Sequence, residues 1–159
     1  MNLRRLFLTA SLTAMMAGCA TGPAPQSLAD TLAADPSLST LHGLVTKAGL
    51  LDTLKGAGPF TVFAPTNDAF KAVPAKTLDD LGKQPAQLKA VLTYHVVPGK
   101  LMAAEIKSAK VKSLQGADLA LSKAGDFVTV EDALVLKADR VATNGVLHMV
   151  DRVLMPPRR

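Results

Sequence analysis

The stretch Gly58-Pro59-Phe60-Thr61-Val62-Phe63-Ala64-Pro65-Thr66-Asn67-Asp68-Ala69-Phe70 compresses a break, a strand and a helix start into one short run. Gly58-Pro59 interrupts whatever precedes it. The crowding of β-branched and aromatic residues from Phe60 to Ala64 then predicts a buried strand, and Pro65 ends it. Thr66 or Asn67 can cap a helical turn carrying Ala69 and Phe70, which Pro74 stops.

Upstream, from Ser27 on, the pattern is helical. Leu28 and Leu32 come first; Leu38, Leu41, Leu44, Val45 and Ala48 then recur at spacings of three and four, which places them on one face. Asp35 before Pro36 fits a cap with proline in the first turn, and Gly49 fits a stop. Leu50, Leu51 and Leu54 form a further short turn before Gly56. Downstream, Pro85 to Leu92 reads as a helix and Thr93-Tyr94-His95-Val96-Val97 as a strand closed by Pro98-Gly99. The final third predicts four strands, 118–122, 127–130, 133–137 and 145–150. Asn144-Gly145 predicts a tight hairpin turn at positive φ. Helices first and strands afterwards give an α+β fold with an antiparallel-dominated sheet. The chain has 159 residues, 48% of them apolar, which suits one domain. Only 4% are aromatic, so Leu, Val and Ala must build the core, with Phe60, Phe63, Phe70 and Phe127 as its larger pieces.

Three segments resemble signature boxes of the fasciclin domain family. They are the 58–70 stretch, Tyr94-His95-Val96-Val97-Pro98-Gly99-Lys100, and Ala142-Thr143-Asn144-Gly145-Val146-Leu147-His148-Met149-Val150-Asp151-Arg152-Val153-Leu154. They occur in the family's order and spacing. The resemblance implies a wedge-shaped β-sheet fold with helices packed on one side, covering residues 27–157. It also implies an adhesion or matrix-interaction module, here a single monomeric domain.

The N-terminus reads as an address. Arg4 and Arg5 precede an apolar run, Leu6 to Ala17, of secretory length and too short to span a bilayer. Met16-Ala17-Gly18-Cys19 resembles a bacterial lipobox, so residues 1–18 are expected to be a lipoprotein signal peptide and Cys19 the lipidation site. A plain secretory signal is the alternative, and both the general and the twin-arginine export routes stay open. Residues 19–26, rich in Pro and Gly, read as a flexible tether. Acyl chains at about 0.8 kcal/mol per buried methylene would hold the protein on a membrane. Ala20 after the cysteine favours the outer membrane of the cell envelope, facing the periplasm or the exterior. Cys19 is the only cysteine, so no internal disulfide can form.

Net charge is +5, and removing Arg4 and Arg5 leaves +5 − 2 = +3, with Arg158 and Arg159 at the far end. The rest is close to neutral, which argues against a nucleic-acid partner. Lys100, Lys107, Lys110 and Lys112 form a loose basic group, read as a solvated face.

Catalytic signatures are missing: there is no Gly-x-Ser-x-Gly, His-Glu-x-x-His or glycine-rich phosphate loop. His42, His95 and His148 lie far apart, so neither a metal nor another cofactor is expected. Tyr94 and His95 could form an acid–base pair, but alternation along a strand would send them to opposite faces, favouring a structural role. Asp139, in Lys137-Ala138-Asp139-Arg140-Val141, matches the centre of an integrin motif found in some family members. Arg140 and Val141 depart from that motif. Tyr94, His95 and Asp139 are therefore the candidate partner-binding residues, and the expected partner is a cell-surface or envelope protein or polysaccharide. The alternative is a carrier of a small apolar ligand such as a carotenoid, with Leu101, Met102, Ile106 and Met149 contributing to its surface.

Overall fold

The computed structural model describes residues 26–156, so the signal segment, Cys19 and nearly all of the tether lie outside the described residues. Helix α1 (Leu28–Ala34) starts at Ser27, whose hydroxyl accepts from the Asp30 amide while the Asp30 carboxylate accepts from the Ser27 amide. Asp35 caps a 3₁₀ turn (Pro36–Leu38) by accepting from the Ser37 amide, and its other oxygen takes Arg140. Then come α2 (Ser39–Lys47), α3 (Leu51–Lys55), strand β1 (Phe60–Pro65), α4 (Asn67–Lys71), α5 (Ala75–Lys83) and α6 (Pro85–Tyr94). The rest is β2 (Val96–Pro98), β3 (Ala109–Lys112), β4 (Asp118–Ala124), β5 (Phe127–Val130), β6 (Ala133–Ala142) and β7 (Gly145–Val150).

The sheet runs β2-β1-β7-β6-β5-β4-β3. All its pairs are antiparallel except β1 with β7, which run parallel from Phe60↔Gly145 to Pro65↔Val150. The Leu114 amide, just beyond β3, donates to the Val96 carbonyl at 2.7 Å, so the sheet curls until its two ends meet. Strands β1 and β7 are buried on both faces. One face packs α1, α2, α3 and α6 through Leu28, Leu32, Leu41, Leu88, Leu92 and Leu147; the inside of the curl holds Phe63, Tyr94, Leu119, Val130 and Val150. This is the α+β arrangement of a curled sheet with helices on one side.

The boxes of sequence act as joints. Thr66 caps α4 by accepting from the Ala69 amide, whereas Asn67 reaches sideways, accepting from the Thr40 amide at 3.0 Å and donating to the Pro36 carbonyl at 2.9 Å. It fastens α4 to the start of α2.

Five details differ from the sequence reading. Residues 93 and 94 finish helix α6, and the strand starts only at Val96. Tertiary packing of Val91, Leu92 and Tyr94 on two cores extends the helix through residues whose local preference is extended. Helix α5 escaped because its apolar face rests on Leu78 and Leu81 alone, one turn apart in nine otherwise small or polar residues, too few to set a pattern. Strand β3 escaped because its lysines, Lys110 and Lys112, protect an edge and leave only Val111 as an apolar signal. Neither residue of the Asn144-Gly145 turn has positive φ; Thr143 and Asn144 form the loop between paired Ala142 and Gly145. Finally, Phe127 is 66% exposed at the start of β5 rather than a core residue. Phe127→Ser is accordingly expected to shift the urea midpoint by less than about 0.5 kcal/mol equivalent, as for a surface site.

Candidate partner-binding surface

Tyr94 and His95 sit at the end of α6, each only 2% exposed. Tyr94 points into the curl of the sheet, its hydroxyl 3.3 Å from the Asp118 carbonyl and 3.5 Å from a Glu131 carboxylate oxygen. Burial, reinforced by the Glu131 charge, pushes its pKa up, so it stays a neutral anchor. His95 Nδ1 donates to the Val91 carbonyl at 2.8 Å, and its Nε2 accepts from the Leu154 amide at 3.0 Å. The two side chains thus serve separate backbone joints. They do not form a proton relay, and neither presents a surface to a partner.

Because His95 is fully enclosed, burial holds its pKa down to about 4, with the Val91 bond opposing only weakly. An unfolded chain would take the proton near pH 6.5. The stability supplied by neutral His95 is therefore complete above pH 6.5 and is lost as pH falls towards 4, a difference of roughly 3 kcal/mol. His148 shifts in the same direction, again chiefly through burial, and adds to the slope. Urea midpoints measured against pH should be flat above about pH 7 and fall steeply from 6.5 to 4. His95→Gln should start lower and slope less.

Asp139 is exposed and adopts φ 56° where β6 bulges against β7. Its carboxylate accepts from the Ala103 amide at 2.7 Å, and its amide donates to His148 Nδ1 at 3.2 Å. His148 Nε2 in turn donates to the Leu101 carbonyl at 2.8 Å, while its ring stacks on Phe63 with centroids 5.6 Å apart. Asp139 and His148 together hold the 101–106 loop against the sheet. Of the three sequence candidates, only Asp139 reaches the surface, far in role from the buried pair.

A broad concavity lies elsewhere. It is an open groove of about 1040 Å³ between α5, α6 and the segment that follows β7, lined by Val73, Thr77, Gln84, Gln87, Arg152 and Met155 among others. Two smaller hollows, one beside Leu50 and Leu114 and one beside Leu44 and Phe70, hold about 20 and 10 Å³. Among the described residues, no cluster of three His, Cys, Asp or Glu side chains could hold a metal. Sequence reasoning missed the groove because it is assembled from four separate segments, α4 with the turn after it, the unread α5, α6 and residues 152–156.

The fasciclin-domain profile matches residues 36–156. The chain belongs to the fasciclin domain family. This fasciclin domain is 42% identical over 151 residues to protein sll1483 of Synechocystis sp., covering 94% of this chain and 83% of that protein. It is 38% identical over 145 residues to the cell surface glycolipoprotein MPB83 of Mycobacterium bovis, covering 88% of this chain and 65% of that one. In structure it is similar to a FAS1 domain pair from the insect cell adhesion molecule fasciclin I. The TM-score is 0.68 over 82% of this chain and 51% of that chain, and at 16% identity the likeness shows the shared fold. No helix of the described residues is long and apolar enough to cross a membrane.

Proposed function

We propose that this fasciclin domain is a cell-envelope adhesion or interaction module. It is lipid-anchored through Cys19, at the outer membrane, and engages a surface protein or polysaccharide by contact rather than by catalysis. The observation that carries the reading is how the polar groups are used: His95, His148 and Tyr94 each hold backbone in place, while the open concavity is lined by side chains suited to contact. The similarity to a protein named as a cell surface glycolipoprotein supports the envelope location. A carrier of an apolar pigment is supported less well, because hollows of about 20 and 10 Å³ accept no such ligand and it would have to lie on the surface.

One weak site per domain becomes effective when many copies share a membrane. The test displays the full chain on lipid vesicles, against a lipid-free Cys19→Ser chain, and measures retention on intact cells and on isolated envelope polysaccharide. Retention is expected to rise by at least tenfold with display, and the purified protein to be colourless. Absence of retention on both surfaces, or a pigment carried through purification, would overturn the reading.

A further inference from the structure

We propose that the groove between α5, α6 and the segment after β7 is the contact site for an extended peptide segment bearing an acidic residue beside an apolar one. The proposal rests on the interaction-module reading and names the site and the chemistry of the partner. The groove has an apolar floor in half-buried Val73 and Val153, next to Met155, which is 44% exposed. An unbranched thioether adapts its shape to differing side chains. Thr77, Gln84 and Gln87 then supply both donors and acceptors along the walls.

That mixture selects among occupants. An acyl chain or a polyene would cover those amides and leave them unpaired, which is costly. A docked helix already satisfies its own backbone, whereas an extended peptide offers free N–H and C=O groups that Thr77, Gln84 and Gln87 can meet. A glycan would call for a flat aromatic platform, and among the described lining residues there is none.

Charge fixes the remaining feature. Arg152 is exposed on the groove wall, and the two ion pairs among the described residues, Lys71 with Asp68 and Arg140 with Asp35, do not involve it. A guanidinium presents a planar fork of donors that fits a carboxylate in bidentate fashion. Asp80, on α5, lines the same groove and repels an acidic residue. The acidic side chain of the peptide therefore belongs against Arg152 and not against α5.

The test pans a phage-displayed library of short random peptides against the full chain, then measures synthetic versions of the enriched peptides by fluorescence polarisation. Enriched sequences are expected to pair Asp or Glu with a neighbouring apolar residue. Arg152→Glu should weaken their binding by at least tenfold, Met155→Asp should weaken it as well, and Asp80→Asn should leave it equal or tighter. All three side chains are exposed, so the variants should melt like the wild type, and hydrogen exchange should show peptide protection in α5, α6 and residues 152–156. Failure to enrich any peptide, protection elsewhere, binding indifferent to Arg152→Glu, or displacement by oleate at comparable concentration would overturn the proposal. If groove-binding peptides are found but vesicle-displayed protein is not retained on cells, the interaction-module reading falls while the site stands. If retention persists in Arg152→Glu, the reading stands and the site falls.

Discussion

Gly145→Ala is expected to abolish folding under ordinary conditions. A Cβ on Gly145 would lie 1.9 Å from the Phe60 carbonyl oxygen and 2.9 Å from a Leu28 methyl. The first neighbour is backbone within the parallel β1–β7 pair, where Phe60 faces Gly145, so no side-chain rotation relieves the contact. The strands would have to part at the start of the ladder that joins the helical core to the inside of the sheet. A loss of more than about 4 kcal/mol is expected, a large share of the stability of an ordinary domain. Circular dichroism and a urea titration would register it as a largely unfolded or insoluble protein. A variant melting within a few degrees of the wild type would show that β1 and β7 approach less closely than described.

Asn144 gives the second large effect. Its Oδ1 accepts from the Leu28 amide at 2.9 Å, and its Nδ2 donates to the carbonyls of Leu54 at 2.5 Å and Gly56 at 3.0 Å. One side chain thus closes the first turn of α1, the end of α3 and the β6–β7 loop. Asn144→Ala strands one donor and two acceptors and should cost about 3 kcal/mol, or on the order of 10 °C in melting temperature. Asn144→Asp tests the geometry more sharply. It keeps the acceptor for Leu28 but turns a carboxylate oxygen towards two carbonyls, so its pKa should rise and the ionised form be disfavoured. Near neutral pH it should be at least as unstable as the alanine variant, and the gap between the two should close as pH falls and the carboxylate takes a proton, while the buried histidines lower both curves alike. Identical pH profiles for the two variants would contradict the assigned bonds.

These two neighbours also show what could be read from the sequence. The strand at Phe60–Ala64, the caps at Asp35 and Thr66 and the α+β class follow from local chemistry: β-branching, proline breaks and oxygen side chains placed before helical turns. Asn144-Gly145 reads equally well as a hairpin turn, yet its φ angles are ordinary, and its residues answer to partners about ninety and more positions away. Long-range contact has no local signature. The same reason moved Tyr94 and His95 from a strand into a helix end, because their distant partners are Asp118 and Leu154. The sequence reading weighed a structural role for the pair yet kept both as candidate partner-binding residues; in the fold both side chains are buried and bonded to backbone. The groove was the least legible feature, since Gln, Thr, Val and Arg at a surface announce nothing until the fold sets four segments side by side.

The most direct test of the central claim compares retention of the vesicle-displayed full chain on intact cells with that of an Arg152→Glu, Met155→Asp double variant of equal melting temperature. The account predicts that the wild type is held and the variant is lost. Equal retention of the two would contradict a contact surface in the open groove, and no retention for either would contradict the adhesion reading itself.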